Sequence, residues 1–151
     1  MNASFLLRTA AALNLVFLAG HTYGVFASPS RGPGERTLYG AMRAYRFLAM
    51  GSLRSHWDFY FGFSLFLSAN LLVLTVLIWQ VGSLARTDPA RARPFIATLL
   101  GGYLLFAVLC WVYFFIAPAM TTSAIALFLA LALLAAHRAK LRTGGLANDR
   151  P

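Results

Sequence analysis

The sequence predicts an all-α protein, a membrane-embedded four-helix bundle with one interfacial amphipathic helix in its first loop. Three observations support this prediction. Hydrophobic residues make up 60% of the 151 residues, against roughly 45–50% in a typical soluble domain. Charged residues are only 11%, and a soluble domain of this size could not bury so much apolar surface. The apolar residues also fall into four separate blocks.

Each apolar block is close to the roughly 20 residues that a helix needs to cross the hydrocarbon core of a bilayer. Transmembrane strands are not expected, because no alternating pattern of strand length appears. The second block would rise about 37 Å at about 1.5 Å per residue, so this helix should tilt. The chain is predicted as one domain with a tail at 143–151 and spans at residues 5–26, 57–81, 95–116 and 119–136.

The first block also has features of a signal peptide. Arg8 precedes an apolar stretch, and Ala27 ends a tripeptide that resembles a small-residue cleavage site. However, Asn14 and His21 interrupt the apolar run. This interruption favours an uncleaved first span.

The longest connection, residues 27–56, starts with turn sequence rich in proline and glycine. Residues 35–50 then place apolar side chains on one helical face and arginines on the other. This pattern is typical of a helix that lies flat on the membrane, either anchoring the loop or covering a cavity as a lid. The apolar face consists of Leu38, Ala41, Met42, Tyr45, Leu48 and Ala49, and the opposite face of Arg36, Gly40, Arg43 and Arg46.

Local signals mark the predicted helix ends. Ser55 and Asp58 fit a capping box at the start of the second span, with the serine as N-cap. Asp88, which is followed by proline, is the predicted N-cap of the third span. Pro118 between the third and fourth spans indicates a tight hairpin, and Gly144 suits a C-terminal cap.

The basic residues lie between the apolar blocks, and the formal net charge is +9. This placement suits membrane lipids with anionic headgroups, and nucleic acid is not an expected partner. An even number of spans puts both termini on one side, where eight basic residues stand against five on the other. The positive-inside rule therefore favours cytoplasmic termini.

Polar groups inside a membrane are costly, so the few present indicate either packing or function. Asn14 and His21 are seven residues apart and fall within about 20° on one helical face, which should point into the bundle. Antiparallel threading brings further polar and aromatic side chains to the same mouth of the bundle as His21. The candidate ligand-binding residues are Asn14, His21, His56, Trp57, Asp58, Tyr60, Trp111 and Tyr113, and the catalytic candidates are His21 and Asp58.

Each candidate also has a purely structural explanation. The tryptophans and tyrosines fit an aromatic belt at the membrane interface. Asp58 fits a cap acid that is stabilised by the helix dipole and paired with Arg54. His21 fits a histidine that is hydrogen-bonded across helices.

The second span carries two further polar features. Ser64 and Ser68 form a pair of small residues that allows helices to pack closely. Asn70 shares the opposite face with phenylalanines, and the sequence assigns it no partner.

Chemistry that depends on a fixed motif is not indicated. The sequence has no metal-binding pattern and no glycine-rich phosphate loop, and Cys110 is its single cysteine. No metal is therefore expected as a cofactor. Haem held by His21 and His56 remains an alternative.

Two segments resemble an uncharacterised bacterial family of small four-span membrane proteins. They are Gly20-His21-Thr22-Tyr23-Gly24 and Trp57-Asp58-Phe59-Tyr60-Phe61-Gly62-Phe63. In outline the chain is also similar to the DoxX-like and emopamil-binding families. An emopamil-type sterol isomerase keeps several carboxylates and histidines within its spans, and only His21 and Asp58 match such roles here.

Two functions therefore follow as expectations. The first is an accessory or assembly bundle in the inner membrane, which associates with itself as a homo-oligomer or with a membrane-protein partner. The alternative is a binder or isomerase of a lipid-like small molecule, with a pocket at the loop-one face of the bundle. Whether the protein is an enzyme is left open by the sequence.

Overall fold

The structure, a computed structural model, describes residues 2–27 and 30–148, with side chains described as far as residue 138. This part of the chain is all-α in class, with a single small hairpin of two strands. The elements in chain order are α1 (Ala3–Ala27), α2 (Pro33–Ala44), β1 (Arg46–Ala49), β2 (Ser52–Ser55), α3 (His56–Thr87), α4 (Pro89–Tyr113) and α5 (Ile116–Asn148).

The four predicted spans are confirmed as helices long and apolar enough to cross a membrane. They are α1, α3, α4 and the Ile116–Arg138 part of α5, with mean hydropathy between 1.5 and 2.2. The chain is therefore an integral membrane protein by the length and composition of its helices. α3 continues to Thr87 and α4 begins at Pro89, so only Asp88 separates them.

The chain forms two compact units. The terminal unit consists of Met1–Phe17 and Leu71–Pro151, and the central unit of Leu18–Asn70. α1 and α3 each contribute residues to both units, whereas α4 and α5 belong to the terminal unit and α2 and the hairpin to the central unit.

The core of the terminal unit is built from large apolar side chains of all four long helices. The fully buried apolar side chains include Leu7, Leu71, Ile78, Ile96, Tyr103, Ile125 and Leu129.

Gly82 of α3 allows a close approach of α1, because a Cβ atom at this position would lie 3.3 Å from Cβ of Leu7.

The connection between α4 and α5 consists of Phe114 and Phe115 only. This confirms the tight hairpin, but Pro118 lies inside the first turn of α5 rather than between the helices. Proline is tolerated there because a first-turn N–H has no helical partner. Contrary to the predicted cap at Gly144, α5 continues through this residue to Asn148. The last part of the predicted tail, 149–151, lies outside the described residues.

The predicted helix at residues 35–50 is only partly correct. α2 ends at Ala44, and Tyr45 is already extended, with φ −75° and ψ 108°. The following residues form the antiparallel hairpin, in which Leu48 pairs with Leu53. Met50 and Gly51 at its tip have φ values of 48° and 86°, as a tight two-residue hairpin turn requires.

Candidate functional site

Asn14 is completely buried in the terminal unit, and both ends of its amide are hydrogen-bonded. Its Nδ2 donates to the carbonyl oxygen of Leu71 and to Oγ1 of Thr75, each at 2.8 Å. Its Oδ1 accepts from the hydroxyl of Tyr103 at 2.7 Å. Asn14 therefore joins α1 to α3 and α4, and its amide is used in helix packing.

His21 lies in the central unit and is partly buried. Its Nε2 is 3.0 Å from the carbonyl oxygen of Ser64, and because a carbonyl can only accept, Nε2 must carry the proton and donate. One residue further along α1, the hydroxyls of Thr22 and Ser68 lie 3.1 Å apart. The pair Ser64 and Ser68 therefore contacts α1, as the sequence predicts for small residues at a helix interface.

Asp58 forms the predicted capping box with Ser55. The backbone N–H of Ser55 donates to Oδ2 of Asp58 at 2.8 Å, and the backbone N–H of Asp58 donates to Oγ of Ser55 at 3.2 Å. The expected salt bridge to Arg54 does not form among the described residues. The carboxylate stabilises the start of α3, the function of such an acid in a capping box.

His21 and Asp58 do not form one site through these contacts. His21 contacts α3 at Ser64, which is six residues beyond Asp58. On a helix this separation is about 9 Å along the axis and about 120° around it. The catalytic role of either residue remains a prediction.

An aromatic cluster surrounds the start of α3 on the side that faces α2. The ring of Tyr39 on α2 lies 5.1 Å from Trp57 and 6.1 Å from Tyr60, centroid to centroid. The guanidinium carbon of Arg43 lies 3.7 Å from the centre of the Trp57 ring, within the range of a cation–π interaction. α2 therefore packs on α3 through Tyr39 and Arg43, whereas Leu38 of the predicted apolar face is 57% exposed.

His56 belongs to a second aromatic cluster in the central unit. It stacks on Tyr45 at 5.5 Å with an interplanar angle of 9°, and lies 5.0 Å from Phe47. Phe47 in turn stacks on Phe59 at 5.9 Å. His56 therefore packs against the hairpin. It contacts different rings from Trp57 and Tyr60, which pack against Tyr39.

The last two candidates lie near the end of α4, in the terminal unit. Trp111 donates from Nε1 to Oγ of Ser123 on α5 at 3.2 Å. Tyr113 is 75% exposed. The eight candidates are therefore divided, with Asn14, Trp111 and Tyr113 in the terminal unit and the other five in the central unit.

α2 contains a carboxylate–phenol pair, Glu35 and Tyr39, one turn apart. Glu35 accepts hydrogen bonds from the backbone N–H of Arg31 and from the hydroxyl of Tyr39, the latter at 2.9 Å. These two hydrogen bonds, in that order of effect, lower the pKa of Glu35. The bond to Glu35, with a smaller effect of Tyr60, raises the pKa of Tyr39 to about 12.

A groove in the terminal unit was not anticipated from the sequence. It lies between the start of α4 and the later part of α5 and has a volume of about 530 Å³. Among its lining residues are Arg93, Pro94 and Ala97 of α4 and Leu133, Leu134 and His137 of α5. One sequence signal could have indicated the groove. In each helix a basic residue lies one turn from small or apolar residues, Arg93 from Ala97 and His137 from Leu133 and Leu134.

Metal and haem chemistry gain no specific support from these placements. Within the part of the chain that the structure describes, no three His, Cys, Asp or Glu side chains come together as metal ligands. His21 donates to a backbone carbonyl, and His56 stacks on Tyr45 beside the tilted ring of Phe47. Haem held by these two histidines stays an untested prediction.

Four apolar helices of membrane-crossing length, joined by hydrogen bonds from polar side chains, define a helical integral membrane protein. Comparisons with known proteins find no matching family model, no similar curated protein and no similar solved structure. The resemblance to a bacterial four-span family, and in outline to the DoxX-like and emopamil-binding families, therefore stays a prediction.

Proposed function

We propose that this protein is an assembly protein of the bacterial inner membrane, which associates with a second copy of itself through one face of α3. The termini are placed in the cytoplasm by the positive-inside rule. Anionic headgroups are the proposed partners of the arginines at the membrane surfaces. The observation that supports self-association most directly is the position of Asn70.

Asn70 is an exposed amide in the middle of an apolar helix. It lies about 21 Å along α3 from His56 at about 1.5 Å per residue, and α3 has a mean hydropathy of 2.2. Its Nδ2 donates to the carbonyl oxygen of Phe66 at 2.9 Å. The other N–H of the amide and the carbonyl oxygen have no partner among the described residues, and facing lipid they would be costly.

The surface around Asn70 fits a helix–helix contact. Phe59, Phe63 and Phe66 precede it at spacings of four, three and four residues, so the four side chains share one face. Phe63 and Phe66 are each 67% exposed. We call Phe59, Phe63, Phe66 and Asn70 the Asn70 face.

A second copy is the partner that the chemistry favours. An amide contains both a donor and an acceptor, so two Asn70 side chains can satisfy each other across a two-fold axis. Polar side chains of this kind stabilise association between membrane helices by about 1–2 kcal/mol. The aromatic rings around the amide would supply the packing.

The isomerase alternative is less well supported. The proton on Nε2 of His21 is used in a hydrogen bond to Ser64, and the carboxylate of Asp58 is used to cap α3. Both residues therefore have structural roles that suit an assembly protein. A lipid-like ligand at the loop-one face is not needed to explain them.

Self-association can be tested with the full chain in lipid vesicles. Ser52→Cys gives an exposed labelling site, while the native Cys110 is buried. Energy transfer between donor- and acceptor-labelled copies, measured against the protein-to-lipid ratio, reports the dimer affinity. Asn70→Leu should weaken the dimer about five- to thirtyfold, the equivalent of about 1–2 kcal/mol.

Gln80→Leu is the matched control. Gln80 is an exposed amide on the same helix, about 15 Å further along the axis and about 80° around it from Asn70. Its replacement should change the dimer affinity less than twofold. Equal affinity of Asn70→Leu and the parent chain, or an equal loss with Gln80→Leu, would contradict the proposal.

A further inference from the structure

The groove between α4 and α5 in the terminal unit has the size of a ligand site. Its volume of about 530 Å³ lies within the range of roughly 300–1,000 Å³ that is typical of small-molecule sites. It is open to the surroundings rather than enclosed, and Leu134 on its wall is 55% exposed. A ligand could therefore enter from the bilayer without any change in the fold.

The two helices give the groove a polar and an apolar end. On α4, Ala97 lies one turn beyond Arg93, about 6 Å deeper into the helix. On α5, Leu133 and Leu134 lie about one turn before His137, again on the deeper side. The basic groups therefore lie near the ends of the two candidate spans, and small and apolar side chains line the groove further in.

Arg93 has no acidic partner in this arrangement. Its Nε is buried and makes no hydrogen bond to any part of the chain that the structure describes, and a buried polar atom without a partner calls for an explanation. The nearby carboxylate, Asp88, accepts from the backbone N–H of Arg91 at 3.0 Å and lies 3.4 Å from its Nε. Asp88 therefore pairs with Arg91 and not with Arg93.

The charge around the groove is strongly one-sided. Within the described side chains of the terminal unit, Asp88 is the single carboxylate. The arginines in the same set are Arg8, Arg86, Arg91, Arg93 and Arg138. Such an end of a membrane protein attracts anionic headgroups, and a planar guanidinium suits the oxygens of a phosphate.

The geometry points to a binding site for one anionic phospholipid in this groove. The lipid phosphate contacts the guanidinium of Arg93 and the imidazole of His137. One acyl chain lies along Ala97, Leu133 and Leu134. The site is independent of the Asn70 face, which belongs to the central unit, so either proposal can fail without the other.

The test is a lipid titration of the purified full chain in mild detergent, read by native mass spectrometry. Phosphatidylglycerol is the anionic probe and phosphatidylcholine with the same acyl chains is the zwitterionic one. We expect phosphatidylglycerol to bind at least tenfold more tightly. Equal binding of the two lipids would overturn the proposal.

Two variants locate the lipid in the groove. Arg93→Gln should weaken phosphatidylglycerol binding at least tenfold, and Ala97→Phe should weaken it by filling the apolar end. Arg91→Gln is the matched control, because Arg91 lies two residues away, is 82% exposed and pairs with Asp88; it should change binding less than twofold. An equal loss with Arg91→Gln would show diffuse attraction and overturn the site.

Two further measurements complete the test. Inorganic phosphate added at the concentration of the lipid should not displace it, and displacement would show a phosphate site rather than a lipid site. Circular dichroism of each variant checks the fold. If Arg93→Gln does not fold, His137→Gln at an exposed position must still weaken phosphatidylglycerol binding, and unchanged binding would contradict the proposal.

Discussion

The hydroxyl of Tyr103 on α4 donates a hydrogen bond of 2.7 Å to Oδ1 of Asn14 on α1, and both side chains are at most 1% exposed. The same amide donates to Leu71 and Thr75 on α3. One side chain therefore holds three helices of the terminal unit together. In hydrocarbon no water can replace these bonds.

Removal of this network should destabilise the protein in a non-additive way. Asn14→Leu should lower the free energy of unfolding by about 1–3 kcal/mol, because it removes three hydrogen bonds and leaves buried groups unpaired. Tyr103→Phe should cost about 1 kcal/mol. In the double variant Tyr103→Phe should add almost nothing, as measured by denaturant unfolding in detergent. Fully additive costs would show that the two side chains are not coupled.

Gly82 should not tolerate a larger side chain. A Cβ atom there would lie 3.3 Å from Cβ of Leu7, so Gly82→Leu should force α1 and α3 apart and cost about 1–3 kcal/mol. Gly62→Leu on the same helix is the control, because nothing among the described residues lies within 4 Å of its added Cβ. Thermal unfolding in detergent compares the two. Leucine is a better helix former than glycine, so equal losses in the two variants would mean that the contact with Leu7 is not the cause.

The contribution of the capping box to the start of α3 should be measurable at the backbone amide of Asp58. Ser55→Ala removes the acceptor of the Asp58 N–H and should cost about 0.5–2 kcal/mol. Hydrogen exchange of the Asp58 amide should become faster, while Ser52→Ala in the exposed strand should leave it unchanged. Unaltered exchange in Ser55→Ala would exclude a role of the serine in capping.

The stability of α2 should depend on pH at both extremes. The pKa of Tyr39 is raised to about 12, so the stabilisation from its protonated form is present below its ordinary value of 10.0 and is lost as the pH rises towards 12. The pKa of Glu35 is lowered from 4.5, so its contribution is present above 4.5 and is lost as the pH falls through the lowered pKa.

Glu35→Ala should move the Tyr39 titration back towards 10, since the bond to Glu35 is the largest cause of the shift. The tyrosinate absorbance of Tyr39 is isolated as the difference from Tyr39→Phe. An unchanged titration in Glu35→Ala would assign the shift to another neighbour.

Local features could be predicted from the sequence, because their determinants lie within a few residues. The capping box of Ser55 and Asp58 and the N-cap at Asp88 are confirmed by their hydrogen bonds. The four spans are also confirmed. Each could be predicted because the length and hydrophobicity of its apolar block are local properties of the sequence.

The sequence does not predict the hairpin because its turn lacks the usual residues. An Asn or Asp before the glycine would have indicated a turn, but Met50 occupies that position with a φ of 48°. The apolar residues around Leu48 therefore also fit a continuation of the apolar helical face of α2. The alternation that follows Tyr45 is too short to distinguish a strand from a helix.

Long-range partners could not be predicted in detail. The face shared by Asn14 and His21 indicated that both point towards other helices, but their partners include the backbone carbonyls of Leu71 and Ser64, which any residue could supply. The groove joins Arg93 to His137, and only the packing of α4 on α5 brings these two positions together.

The hairpin also limits how deep the protein can lie in the bilayer. Each of its two strands has one neighbouring strand, so their outer backbone groups need water or headgroups and cannot enter hydrocarbon. His56 follows the hairpin directly, which holds that end of α3 at the surface. In membranes of different thickness, the 32 residues of α3 should therefore adjust mainly at their other end, near Thr87.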